Sequence, residues 1–80
     1  MSGTRQTKTP LHDIQQFFKE FWGLFKEFYE VSGDESYWES VVYESSELID
    51  RYKKKDFADF AEEIVLAMNK YLEKRYREGQ

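Results

Sequence analysis

From Leu11 onward, apolar side chains recur as Leu11, Ile14, Phe17, Phe18, Phe21, Trp22, Leu24, Phe25, Phe28, Tyr29 and Val31. At about 100° per residue they cover one half of a helical wheel. Gln15, Gln16, Lys19, Glu20, Lys26, Glu27 and Glu30 fill the other half. Thr9-Pro10 offers a hydroxyl cap followed by proline in the first turn, where its missing N–H is of no consequence. Ser32-Gly33 offers a glycine able to take the left-handed conformation at the far end. The pattern predicts a first helix over residues 10–31.

A second stripe consists of Tyr37, Trp38, Val41, Val42, Leu48, Ile49 and Tyr52, with Ser45 in its middle and Tyr43 on the opposite side. Asp34 and Ser36 compete as its cap, and Ser36 with Glu39 has capping-box spacing. A third stripe runs Phe57, Phe60, Ala61, Ile64, Val65, Ala67, Met68, Tyr71 and Leu72, with Asp56 as the candidate cap. Lys74, Arg75 and Arg77 suit the negative end of that helix. No Gly or Pro separates the second stripe from the third, so one continuous helix over residues 37–76 has to be weighed. Its phase argues against it: a straight helix would set Phe57, Phe60 and Ile64 some 100–160° away from Val41, Leu48 and Tyr52. A turn around Lys53–Asp56 restores a common core. The expectation is an all-α fold, a three-helix antiparallel bundle with helices over 10–31, 35–53 and 57–76. Residues 1–9 read as a disordered tail and 10–78 as a single helical domain.

Eighty residues form a small core, but seven Phe, six Tyr and two Trp supply large buried areas per side chain. There is no Cys, which excludes a disulfide framework and thiolate metal sites and fits a reducing, cytoplasmic setting. The longest apolar run is Ile64 to Met68, far below the roughly 20 residues that span a bilayer. The first residues lack the apolar segment of a secretion signal.

Candidate chemistry is sparse. His12 adjoins Asp13, but neighbouring residues on a helix point about 100° apart, and no serine stands in a nucleophile–base pattern. Asp59, Glu62 and Glu63, with Glu44, Glu47 and Asp50, lack the Glu-x-x-His pattern of carboxylate metal bundles and the alternating oxygens of a calcium loop. No metal, cofactor, small-molecule substrate or enzymatic activity is expected. The aromatic first helix resembles a membrane-surface helix, yet its polar face carries more acids than lysines, so a protein core is the better use of its stripe.

Charge changes the picture more than composition does. Asp34, Glu35, Glu39, Glu44, Glu47 and Asp50 occur without a cation between them, while Arg51, Lys53, Lys54 and Lys55 follow directly. The acidic strip suits either solvation or steering of a basic partner. The basic segment suits a helix C-terminus or, as the alternative, nucleic acid, with Arg5 and Lys8 adding to it. Tyr43 and Leu66 fall on polar sides of their helices and, with Trp22, would extend an exposed patch. The sequence therefore points to a non-enzymatic protein-interaction module, binding a protein partner or itself through Trp22, Tyr43, Glu44 and Leu66. Gly23, at the centre of the first polar face, weakens its helix by about 1 kcal/mol relative to Ala.

The run Tyr37-Trp38-Glu39-Ser40-Val41-Val42, then Leu48, Tyr52-Lys53, Phe57-Ala58, Leu66-Ala67-Met68 and Tyr71-Leu72-Glu73-Lys74, resembles small helical proteins of Firmicute prophages and integrative elements, which have no established activity. The resemblance covers about residues 37–74. It implies a mobile-element origin and carries no catalytic or binding residue with it.

Overall fold

The computed structural model describes residues 11–79. These form three helices, α1 (Leu11–Phe28), α2 (Glu35–Arg51) and α3 (Ala58–Glu78), each packed on the other two. No strand occurs among the described residues. The start of α2 meets the end of α1, where the Tyr37 hydroxyl donates to the Phe28 carbonyl at 2.6 Å. The end of α2 meets the middle of α1 through Arg51 and Glu20. Trp38 packs on Tyr76 near the end of α3. The chain therefore runs up, down and up: α2 is antiparallel to both neighbours, and α1 and α3 run parallel, with Phe17 against Phe57 and Phe25 against Tyr71.

The core draws on all three helices and the turn between α2 and α3: Phe17, Leu24 and Phe28; Val41, Leu48 and Tyr52; Phe57, Ala61, Val65, Met68 and Leu72. Phe17 is fully buried and touches the rings of Phe18, Phe21, Tyr52 and Phe57. It is stacked with Phe21 and edge-to-face with the other three, and such aromatic pairs contribute about 0.5–1.5 kcal/mol each beyond their burial. Ser45, in the middle of the α2 stripe, is buried as well. It accepts a hydrogen bond at 3.0 Å from the Asn69 amide, which also donates to the Val65 carbonyl at 2.8 Å. That pairing meets the requirement that a buried hydroxyl find a partner.

The ends of the helices depart from the sequence-based expectation. α1 stops at Phe28 rather than Val31, and Gly33 is not in the left-handed region. Tertiary contacts replace the glycine cap, because Tyr37 from α2 and Arg75 from α3 donate to the carbonyls of Phe28 and Tyr29. Orphan carbonyls at a helix end need a donor, and here side chains of the other helices provide it. Gly33 serves close approach instead, since a Cβ there would lie 2.9 Å from the Tyr76 hydroxyl. Asp34 occupies the cap position of α2 without a side-chain cap bond, its carbonyl accepting from Tyr37 and Trp38. Ser36 lies inside the first turn, so the capping box is not used. α3 is preceded by Phe57 rather than capped by Asp56, because the Phe57 ring is drawn into the core. The proposed Thr9-Pro10 start and the tail over residues 1–9 lie outside the described residues.

The turn over residues 52–57 forms without Gly or Pro. Short-range bonds Lys53 to Asp50, Lys55 to Tyr52 and Ala58 to Lys55 carry the backbone around. The buried rings of Tyr52 and Phe57, 5.7 Å apart, pin both ends. Burying two aromatic side chains on either side of a four-residue polar segment outweighs the continuation of one helix.

Candidate functional site

The exposed aromatic side chains are not scattered. On α1, Phe18, Trp22, Phe25 and Tyr29 follow each other at i, i+4, i+7 and i+11; on α3, Phe60, Ile64, Ala67 and Tyr71 repeat the same spacing. This spacing keeps each set on one side of its helix. Contacts from Phe18 to Phe60 and from Phe25 to Tyr71, each 6.2 Å between ring centres, show that the two sets face one another. Together they form an exposed aromatic seam, a shallow groove, where the two parallel helices meet. Trp22 is 55% exposed, Phe60 49% and Tyr71 46%, and Phe18 and Tyr29 are also exposed. Around Trp22, Phe25, Lys26 and Tyr29 the surface forms an open hollow of about 400 Å³. At its far end the Arg75 guanidinium lies 4.1 Å from the centre of the Tyr29 ring while donating to the Tyr29 carbonyl. Cation–π contact and hydrogen bond together hold that end in place.

The other flank of α1 is of opposite character. Glu20, Leu24 and Glu27 face Tyr43, Glu44, Glu47, Leu48 and Arg51 of α2 across an open cleft of about 340 Å³. Arg51 donates to Glu20 at 2.8 Å, and Lys55 reaches Asp13 at 3.1 Å. Burial works to raise the Glu20 pKa, but hydrogen bonds from Gln16 and Arg51, with the Tyr52 hydroxyl alongside, outweigh it and hold the carboxyl below its ordinary value. Glu44 is pushed the other way, by burial first and then by Glu27 and Glu47. Glu47 beside the Tyr43 hydroxyl lifts the phenol above its ordinary value. Among the described residues, no group of three His, Asp or Glu side chains is arranged to hold a metal ion.

Of the four residues singled out in the sequence, Tyr43 and Glu44 share the α1–α2 cleft, beside the buried Leu24. Trp22 lies in the aromatic groove on the other flank of α1. Leu66 is 46% exposed; at about 100° per residue it stands on the α2 side of α3, away from Phe60 and Tyr71. They form no single patch. In the basic segment, Arg51 holds Glu20, Lys53 holds Asp50 three residues before it and Lys55 holds Asp13, so Arg51 and Lys55 tie the end of α2 and the turn after it to α1, and Lys54 forms no salt bridge among the described residues. Asp13 turns to Lys55 while His12 is exposed.

By period Phe18, Tyr29, Phe60, Tyr71 and Val42 belong to the core stripes, yet all five are exposed, Val42 at 60%, whereas Phe25 is half-buried and packs on the core. A signal was present: the α1 stripe spans half the wheel, wider than one core can cover, and α3 carries Phe60, Ile64, Ala67 and Tyr71 beside a complete second row, Ala61, Val65, Met68 and Leu72. No family model, curated protein or solved structure matches the chain. No helix among the described residues is long and apolar enough to cross a membrane.

Proposed function

We propose that this chain is a protein-interaction module whose α1–α3 groove receives an amphipathic helix. The observation that carries this reading is the set of exposed rings, Phe18, Trp22, Tyr29, Phe60 and Tyr71, along the seam between two parallel helices. A helix laid into such a groove would bury large aromatic anchors and complete a four-helix packing, the usual mode of helix-in-groove recognition. Catalysis is not part of the proposal, because the groove offers rings and lysines rather than converging acid–base groups.

The test is association with substituted grooves. Trp22→Lys and Tyr71→Lys, both at exposed positions, should leave the circular dichroism spectrum unchanged and abolish capture of any partner. Lys54→Glu, on the turn between α2 and α3, should leave capture intact. Capture that survives the groove substitutions would overturn the proposal.

A further inference from the structure

Lysines stand along the groove's rim. Lys26 borders the hollow with Trp22 and Phe25. Lys19, two turns before it, lies along the same edge, and Lys70 and Lys74 lie along the α3 edge, within about 60° of Ala67 on the wheel. Glu63 and Glu78 are the acids beside them along the α3 rows. The salt bridges among the described residues use Arg51, Lys53 and Lys55, so the four rim lysines are uncommitted. An occupant that matches this groove is a helix with apolar anchors flanked by carboxylates.

The outer face of α2 has that chemistry. Val42 and Tyr43 are 60% and 65% exposed, and with Trp38 and Ser46 they form an apolar surface bordered by Glu35 and Glu39. Glu47 and Asp50 continue the acidic border beyond Tyr43. Glu35, Glu39 and Glu47 take part in none of the salt bridges. At 17 residues α2 is about 25 Å long, and the groove from Phe18 to Tyr29 is about 17 Å at 1.5 Å per residue. By contrast, the ten residues ahead of Leu11 offer Met1 and Pro10 as their apolar side chains, too few to fill a groove of facing aromatic rows.

Given a docking role for the groove, we infer that its occupant is the outer face of α2 from a second copy of this chain. Donor face and acceptor groove lie on different sides of the molecule, so the contact is head-to-tail. It does not close on two copies, and assembly continues with concentration. Complementary charge on the two surfaces sets the register and makes association sensitive to salt.

Sedimentation velocity on the full chain decides it. The wild type should grow past a dimer as concentration rises. It should dissociate as ionic strength goes from about 0.1 to 1 M, which shortens the screening length from about 10 to 3 Å. A groove variant (Trp22→Glu) and a face variant (Val42→Lys with Tyr43→Lys) should each be monomeric, and their equimolar mixture should form a dimer and stop there. Each variant keeps the surface the other has lost. Lys19→Glu with Lys26→Glu is the groove variant to use if Trp22→Glu loses its helical spectrum. A mixture that stays monomeric while the wild type associates would overturn the inference. If the face variant still dimerises and the groove variant does not, two grooves meet each other; the inference fails and the docking role of the groove stands. A wild type that is monomeric throughout, yet captures another protein through Trp22 and Tyr71, gives the groove to a foreign helix, with the same consequence. Association indifferent to both sets of substitutions would remove inference and docking role together.

Discussion

α1 has two flanks, and they are held to their neighbours by different physics. Towards α2 the solvent-facing contacts are ionic: Glu20 with Arg51, Asp13 with Lys55, and the unfavourable proximity of Glu27 and Glu44. Towards α3 they are aromatic, from Phe17 with Phe57 and Phe18 with Phe60 to Phe25 with Tyr71 and Tyr29 under Arg75. Exposed ion pairs contribute little free energy but fix which carboxylate sits opposite which cation. Aromatic burial contributes much free energy, and the rings at its margin keep exposed surface available for a further helix. The ionic flank thus sets register, and the aromatic flank supplies both stability and the candidate docking surface.

The difference can be broken at its centre. Phe17→Ala removes the ring shared by Tyr52 and Phe57 and should cost about 3–5 kcal/mol in urea unfolding, enough to unfold much of an 80-residue domain. A loss below about 1 kcal/mol would mean that the aromatic cluster does not organise the core. On the outer side of α1, between the flanks, a Cβ on Gly23 would meet nothing within 4 Å. Gly23→Ala should therefore stabilise by about 0.5–1 kcal/mol without changing association, as helix propensity alone dictates.

The ionic flank should answer more weakly and with two signs. Arg51→Ala should cost at most about 1 kcal/mol, an effect that fades with added salt. Because the Glu20 pKa is lowered by folding, its contribution is present above the ordinary carboxylate range and is lost as pH falls through its depressed value. Glu44 runs opposite. Its pKa is raised in the folded chain, so its stabilising contribution is present at acid pH and lost as pH rises through the raised value. Glu44→Gln should accordingly stabilise by about a few tenths of a kcal/mol at neutral pH and give no gain in acid. Thermal melting of both variants across pH 3–8 checks the signs; a Glu44→Gln variant less stable than wild type at neutral pH would show that the carboxylate is held by a favourable partner.

Much of the fold was legible because period and phase are local properties. The stripes through Phe17, Val41 and Val65 identify three helices, and the phase break before Phe57 places a turn where neither Gly nor Pro marks one. Helix ends were less legible: Gly33 reads as a cap, yet α1 ends where Tyr37 and Arg75 reach its carbonyls, and those donors lie 9 and 46 residues away in sequence. The candidate site was legible only in part. Trp22 belongs to the groove, whereas Phe18, Phe60 and Tyr71 share the helical period of core residues and look the same on a wheel.

The sequence by itself determined that three amphipathic helices form, which side of each is apolar, and that acids gather on the second. Backbone periodicity and side-chain chemistry suffice for that. Tertiary structure decided which part of each apolar side is covered. α1 and α3 each carry more apolar width than a three-helix core can enclose, so the bundle leaves Phe18, Trp22, Tyr29, Phe60 and Tyr71 exposed at its margin. It also decided that Arg51 and Lys55 bind carboxylates of α1, since Glu20 and Asp13 come within their reach only when α2 folds back along α1.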